Sequence, residues 1–262
     1  MAYKIFNKFN KTKMQEQEII TDKKSKPKNR KVSAGSTFSL EKELTEKGYD
    51  AVIGIDEAGR GPLCGPVVAA ATLCRISNFQ FPISKQRELD LIRDSKKLSE
   101  KQREKVFDFI QENFHVGVGL CNHETIDRIN ILEASFLAMK KAVQDLQRNM
   151  KRETSGLKNF IILVDGNKII PNFSMEQKAV IGGDRIVKSI SAASIIAKVT
   201  RDRLMMEMHK KYPQYGFDKH KGYGTKLHMA MLEEFGPCEI HRQSFAPVKK
   251  ALIRAGLYKA AD

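Results

Sequence analysis

The sequence predicts an α/β fold in which a mixed central sheet is flanked by helices. Short apolar runs of strand length come first along the chain, and further runs then alternate with amphipathic helical patterns, which is the order expected of this class. The chain has 262 residues, of which 41% are apolar, and this is enough to bury a substantial core. A wholly disordered chain is therefore excluded.

Strands are predicted where a short apolar run stops at glycine, proline or an acid. Ala51–Asp56 is followed by a glycine-rich turn, and Val67–Cys74 comes so soon afterwards that the two should pair in antiparallel fashion. Further strands are predicted at His115–Cys121, at Phe160–Asp165 and near Ala179–Gly182. Together these runs supply the central sheet.

Helices are predicted where apolar residues recur every three or four positions. The clearest pattern is Ile131–Met150, in which leucine, phenylalanine, methionine and valine side chains fall on one face. A short helical pattern begins near Thr37, where the folded domain should start, and another helix begins at Ser99 and runs to Asn113. The remaining predicted helices are about Ser191–Lys211, Lys226–Phe235 and Ser244–Ala255.

The formal net charge of +15 indicates an anionic partner such as nucleic acid. Nearly half of this charge lies in residues 1–36, which hold ten lysines and arginines and three acids, a net charge of +7. From about Gln15 to Ser36 the segment has few apolar residues and no periodic pattern. Residues 1–36 are therefore predicted to be a disordered basic arm, and residues 37–262 the folded domain.

Membrane proteins and disulfide-rich secreted proteins are excluded. No apolar run reaches the roughly 18–20 residues that cross a bilayer, and the first ten residues are polar and basic, so we expect a cytoplasmic protein with no membrane partner. The four cysteines show neither Cys-x-x-Cys spacing nor a dense disulfide pattern. They are expected to be reduced thiols packed as small apolar residues.

Acids follow or end two of the predicted strands. Asp56 and Glu57 come at the end of the first strand, Asp165 ends another, and Asp184 lies on a Gly-Gly turn before the next helix. Carboxylates gathered at strand ends repel one another unless a cation neutralises them. Oxygen ligands suit Mg²⁺ or Mn²⁺ rather than zinc, and such a site can hydrolyse a phosphodiester. For each single acid, a solvated strand end or a helix N-cap is the alternative.

Three further segments carry groups that could bind a nucleic acid. The turn Gly59–Gly61 would let the backbone approach a phosphate beside a guanidinium. Asp94–Ser99 places hydroxyls and lysines at a helix entrance, although an ordinary N-cap with exposed lysines has the same pattern. His220–Thr225 offers an aromatic ring that could stack on a sugar or base, or it is only a turn. The candidate substrate-binding residues are Gly59, Arg60, Gly61, Ser95, Lys96, Lys97 and Tyr223.

Taken together, these segments resemble the bacterial type 2 ribonuclease H family, ribonuclease HII. They follow the family's order from about residue 50 to residue 250. The matching stretches are Gly54–Pro66, Asp94–Ser99, Asn130–Leu132, Val164–Asn167, Gly183–Asp184, Ser189–Asp202, Tyr212–Pro213, Gly216–Phe217, His220–Thr225 and His241–Phe245.

The resemblance implies a ribonuclease H-like fold with a helical C-terminal part. It implies a monomeric endonuclease that cuts the RNA strand of RNA–DNA hybrids and incises duplex DNA at single ribonucleotides, as in ribonucleotide excision repair. The products would carry 5′-phosphate and 3′-hydroxyl ends, and the cofactor would be Mn²⁺ or Mg²⁺. The family's catalytic and metal-binding carboxylates correspond to Asp56, Glu57, Asp165 and Asp184.

The resemblance also assigns roles in substrate recognition. Gly59, Arg60 and Gly61 correspond to the turn that contacts the 2′-hydroxyl at the RNA-to-DNA junction, and Tyr223 to the ring that stacks on the adjacent deoxyribose. Arg60 argues against the related ribonuclease HIII type, which replaces this arginine. A non-catalytic nucleic-acid-binding protein and another nuclease of similar fold are the alternatives.

Three other polar residues in matched stretches are not assigned to catalysis. His220 and His241 are interpreted as packing or phosphate contacts rather than metal ligands. Asp202 is interpreted as an ion partner of Arg201 or Lys198 within its helix.

Overall fold

The computed structural model describes residues 35–76, 78–93, 95, 98–150 and 156–257. Residues 1–34 of the predicted basic arm, and the candidate residues Lys96 and Lys97, lie outside these ranges. Within them, one mixed sheet has five strands in the order β3-β2-β1-β4-β5. The strands are β1 (Ala51–Ala58), β2 (Val67–Cys74), β3 (Phe114–Cys121), β4 (Phe160–Asp165) and β5 (Glu176–Val180).

The sheet joins an antiparallel half to a parallel half at β1. β1 pairs antiparallel with β2, which pairs antiparallel with β3, whereas β4 runs parallel to β1, and β5 runs parallel to β4. The predicted antiparallel β1–β2 pair is confirmed. The predicted bounds of β5 were wrong because this edge strand is largely polar, and because Gly182, at φ +65°, cannot extend it.

The helices of the described residues match the clear sequence patterns. The predicted bounds of the helices at 131–150 and 226–235 are confirmed, and Ser99 caps its helix in a capping box with Gln102. Short helices of four to seven residues escaped prediction, since two turns or fewer show no period. The helices are α1 (Ser39–Glu46), α2 (Gln86–Leu91), α3 (Glu100–Asn113), α4 (His123–Ile129), α5 (Ile131–Met150), α6 (Gly183–Ile186), α7 (Lys188–Lys211), α8 (Phe217–His220), α9 (Lys226–Phe235) and α10 (Ala246–Arg254).

Helices cover both faces of the sheet. The apolar face of α5 forms one core with alternate side chains of β1, β2 and β4. Helices α3 and α7 form a second core on the opposite face. The α/β class with a mixed, helix-flanked sheet is thus confirmed.

The C-terminal part is helical, as predicted. It packs on residues 63–64, which follow β1, through two small apolar clusters that include Cys64, Phe217 and Val248. An antiparallel bridge joins Cys64 to His241. In the described part of the chain, no helix combines the length and apolar composition needed to cross a membrane.

Candidate active site

The fold brings the four predicted acids to one end of the two central parallel strands. Ile55 of β1 lies opposite Val164 of β4, so that Asp56 and Asp165, the next residues, lie side by side on neighbouring strands. The backbone N–H of Asp184, in the first turn of α6, donates to Oδ1 of Asp165 at 3.2 Å. Glu57 follows Asp56 directly. Four carboxylates that are up to 128 positions apart in the chain therefore share one edge.

Two of these acids, Asp56 and Glu57, have raised pKa values. Burial, followed by repulsion from Glu57 and Asp165, raises the pKa of Asp56 well above its usual value, although Ser194 donates a hydrogen bond to it. Burial also raises the pKa of Glu57, although the Arg60 guanidinium, 3.2 Å away, acts in the opposite direction. Carboxylate oxygens gathered at one edge of the sheet are the ligands that a hard divalent cation prefers.

Arg60 lies beside Glu57, and the exposed Tyr223 ring lies beside the turn that carries Arg60. The turn requires Gly59, which has φ +101° and would place a Cβ 2.2 Å from Nε of Arg201. A Cβ on the exposed Gly61 would lie 3.7 Å from the Tyr223 ring, which is 43% exposed. The structure therefore joins the predicted turn, the predicted aromatic ring and, through the Arg60–Glu57 contact, the acids.

Ser95 is buried and is linked to the acids through Ser194. It is 3% exposed, and its hydroxyl lies 3.0 Å from that of Ser194, the residue that donates to Asp56. Ser194 belongs to α7 and was not among the sequence candidates. Its position in the matched Ser189–Asp202 stretch was the available signal.

Two buried histidines, His241 and His228, form a chain of hydrogen bonds that ends at the backbone carbonyl oxygen of Tyr223. The backbone N–H of Cys238 donates to Nδ1 of His241, the two Nε2 atoms of His241 and His228 lie 3.0 Å apart, and Nδ1 of His228 lies 2.9 Å from the Tyr223 carbonyl oxygen. The Cys238 donor leaves the His241 proton on Nε2, so that His241 donates to His228, which donates to Tyr223. Burial lowers the pKa of His228 to about 4 and that of His241 to about 3.

The histidines act in packing, as the sequence indicated for two of them. His220 is 7% exposed and contacts the backbone of Tyr215 and Gly222. His228 was missed, although it lies four residues before Leu232 on the buried face of α9. Asp202 pairs with Lys198 at 2.7 Å, which confirms the predicted ion pair within α7.

One ligand atom each of Cys64, His228 and His241 also lies within 4.8 Å of the other two, a spacing that could suit zinc. The hydrogen-bond pattern argues against this. Both ring nitrogens of His228 and of His241 already take part in hydrogen bonds, to Tyr223, to Cys238 and to each other. The group is better explained as a neutral, hydrogen-bonded part of the C-terminal core.

Comparison with known proteins gives consistent matches. The family model of ribonuclease HII matches residues 53–248. Ribonuclease HII of Caldicellulosiruptor bescii is 48% identical over 209 residues, covering 79% of this chain and 92% of that protein. Ribonuclease HII of Fusobacterium nucleatum is 50% identical over 198 residues, covering 75% and 86%. The structure of ribonuclease H2 from Pyrococcus horikoshii has a TM-score of 0.58 and 29% identity, with 78% of this chain and 98% of that chain covered.

Proposed function

Because the chain belongs to the ribonuclease HII family, and is thus a ribonuclease H endonuclease, we propose that it incises duplex DNA at single embedded ribonucleotides as well as cutting RNA in RNA–DNA hybrids. One observation carries this proposal. The four acids, the Gly59–Gly61 turn and the Tyr223 ring are contiguous, so that a cleavage site and a recognition surface lie side by side. All of these groups come from one chain, which supports action as a monomer.

The acids would hold the metal cofactor that the family requires. Asp56, Glu57, Asp165 and Asp184 would bind Mg²⁺ or Mn²⁺, which supplies water activation and stabilisation of the leaving oxygen when bound. The protein's own contribution is to hold the carboxylates together. Asp165 does so by accepting the Asp184 backbone N–H, and Arg60 by pairing with Glu57.

Recognition of the ribonucleotide would fall to the turn and the ring. A 2′-hydroxyl both donates and accepts hydrogen bonds, so that backbone groups of an exposed turn can distinguish ribose from deoxyribose. The exposed ring of Tyr223 would then pack against the next deoxyribose. Cleavage before the ribonucleotide would leave it at the 5′ end of the downstream fragment, with a 5′-phosphate, and a 3′-hydroxyl on the other side.

The test is digestion of a labelled duplex with one embedded ribonucleotide, in Mg²⁺, in Mn²⁺ or in chelator, with the cut mapped to the nucleotide. A long hybrid and an all-DNA duplex serve as comparison substrates. We expect metal-dependent cleavage of the first two only. Cleavage of the all-DNA duplex, or failure to cut at the single ribonucleotide, would contradict the proposal.

The Asp56→Asn variant tests the assignment of the acids. Its cleavage rate should fall by more than about 100-fold, because loss of a ligand should cost more than the roughly 10- to 100-fold loss typical of a residue that only supports a ligand, whereas its affinity for the substrate should be retained. Single-turnover rates and gel-shift titrations measure the two effects. Glu233→Gln, which changes an exposed acid of α9, should keep the wild-type rate. Unchanged turnover in Asp56→Asn would refute the assignment.

A further inference from the structure

Arg242 is a buried arginine that uses every guanidinium N–H to bind one segment of backbone, residues 59–65. Its Nε donates to the carbonyl oxygen of Gly65 at 3.0 Å, and Nη1 donates to those of Arg60 at 3.1 Å and Pro62 at 2.7 Å. Its Nη2 donates to those of Gly59 at 2.6 Å and Gly65 at 2.9 Å. The side chain is 0% exposed.

Within the described ranges, the charge of Arg242 has no partner acid. Among the described residues, no carboxylate oxygen lies within 4.0 Å of it, and Asp127 is the acid that acts on it from farther away. A buried cation without a partner acid is costly, so that its five hydrogen bonds to carbonyl dipoles must compensate. A neutral side chain would fill this space more cheaply if packing were its only role.

The direction of these hydrogen bonds determines which backbone groups face solvent. The described peptide bonds are all trans, and in a trans peptide the C=O and N–H groups point in opposite directions. The carbonyl groups of Gly59 and Arg60 point inward to Arg242, so that the N–H groups of Arg60 and Gly61 point outward. Both residues are exposed, and neither N–H donates a hydrogen bond within the described part of the chain.

A second buried arginine joins this segment to Tyr223. Arg201 of α7 donates to the carbonyl oxygens of Cys64, Pro66 and Lys221, at 3.2, 3.0 and 2.9 Å. Its guanidinium carbon lies 5.9 Å from the centre of the Tyr223 ring. The 59–65 segment is therefore anchored on both sides, and among the described residues only Arg242 donates to the carbonyl groups of Gly59 and Arg60.

We propose that Arg242 is a positioning residue that holds the N–H groups of Arg60 and Gly61 toward the substrate, so that discrimination of ribose from deoxyribose depends on it. This inference rests on the proposed function. Arg242 does not touch the substrate and acts only through the 59–65 segment.

The test measures binding without turnover, in the Asp56→Asn background with Mn²⁺ present. Association constants are measured for a duplex with one ribonucleotide and for an all-DNA duplex of the same sequence, and the first is divided by the second. This ratio is compared among the protein that keeps Arg242, Arg242→Lys and Arg242→Ala. We expect this ratio to fall by about 10-fold or more in both variants, the cost of losing a directed hydrogen bond. The affinity for all-DNA duplex in this background should stay unchanged, and so should the affinity for Mn²⁺ when the Arg242 variants are made in protein that keeps Asp56. Arg254→Ala, which changes an exposed arginine of α10, is the matched control.

Chemical rescue separates positioning from general damage. Guanidinium ion at millimolar concentration should restore the ratio in Arg242→Ala, because it supplies planar donors to the vacated space, whereas ammonium should not. The proposal would be overturned if a folded Arg242 variant kept the full affinity ratio. It would also be overturned if the ratio fell together with the affinity for Mn²⁺. Absence of any ribose preference in the Asp56→Asn protein itself would instead refute the proposed function.

A measurement without a substitution at Arg242 covers the case in which these variants do not fold. In ¹⁵N-labelled Asp56→Asn protein, the amide resonances of Arg60 and Gly61 should shift on addition of the ribonucleotide duplex. The all-DNA duplex should leave them in place. Equal shifts with the two duplexes, or none, would overturn the inference.

Discussion

The residues that carry the proposed chemistry differ in how the protein supports them. Asp56 is buried at the end of a central strand, where burial and two neighbouring carboxylates raise its pKa. Tyr223 keeps 43% of its surface exposed, while its backbone is bound by His228 and the 59–65 segment lies beside it. Asp56 and Tyr223 therefore have separate roles, and substitutions at these two residues should impair activity in different ways.

Tyr223→Ala should chiefly weaken incision at a single embedded ribonucleotide. Loss of a stacking contact costs about 1–3 kcal/mol, so that kcat/KM on this substrate should fall by roughly 10- to 100-fold. Tyr223→Phe keeps the ring and is the matched control, with activity close to that of the wild type. Equal kcat/KM for the alanine and phenylalanine variants would show that the ring does not read the junction.

At the scale of elements, glycines decide how closely helices approach the sheet. A Cβ on Gly117 of β3 would lie 2.2 Å from the carbonyl oxygen of Ala142 in α5. On the other face, a Cβ on Gly54 of β1 would lie 2.3 Å from the carbonyl carbon of Ser189 in α7. The second approach sets α7, which carries Ser194, against the strand that carries Asp56.

Gly117→Ala should therefore destabilise the protein by about 1–3 kcal/mol, because the added methyl group meets backbone that cannot rotate away. Urea unfolding monitored by circular dichroism measures the change in the free energy of unfolding. Gly156→Ala is the control, since no atom lies within 4 Å of its Cβ position. Equal stability of the two variants would show that the helix–sheet spacing is adaptable.

At the scale of the whole molecule, the net charge of +15 is shared between the arm and the folded domain. The folded domain needs the residues that directly follow residue 34. The Ser36 hydroxyl donates to the carbonyl oxygen of Ile92 at 2.6 Å, and the Thr37 backbone pairs with Ile186 and Lys188. A deletion of the arm should therefore stop before Gly35 rather than at Thr37.

Deletion of residues 1–34, which carry a net charge of +7, should leave cleavage at low salt intact. Fewer counterions are released on binding, so that the plot of log affinity against log salt should become less steep. Gel shifts at several salt concentrations measure the slope. The slope should also become less steep in full-length protein in which Lys23, Lys24, Lys26 and Lys28 are changed to glutamine. An inactive truncated protein at low salt would contradict this prediction.

The stability of the molecule should fall as the pH drops below 7, because of the buried histidines. Folding lowers the pKa of His228 to about 4 and of His241 to about 3, so that below about pH 6.5 the unfolded chain binds protons that the folded chain does not. This costs about 2 kcal/mol per histidine between pH 7 and pH 5. Urea unfolding of His228→Gln should show a smaller pH dependence than the wild type. Equal pH dependence in His228→Gln and wild type would refute the role of this cluster.

Local patterns in the sequence predicted most of the elements and the acids of the site. The bounds of β2, β4, α5 and α9 agree with prediction because the two strands are continuous apolar runs and the two helices have a sustained helical period. The bounds of β5 were predicted wrongly because β5 is an exposed edge strand, and its largely polar residues do not form an apolar run. The glycine-flanked arginine and the strand-ending acids were recognisable because their chemistry resides in adjacent residues.

The sequence by itself determined the longer elements, the acids and the family resemblance, since periodicity and short motifs are local. Only the tertiary structure decided that Asp56 lies beside Asp165, that three histidines are neutral core residues, and that Arg242 binds the carbonyl groups of residues 59–65. The physical reason is that these contacts join residues more than 100 positions apart, or depend on burial. Whether an arginine meets phosphate or carbonyl groups depends on what the folded chain places around it.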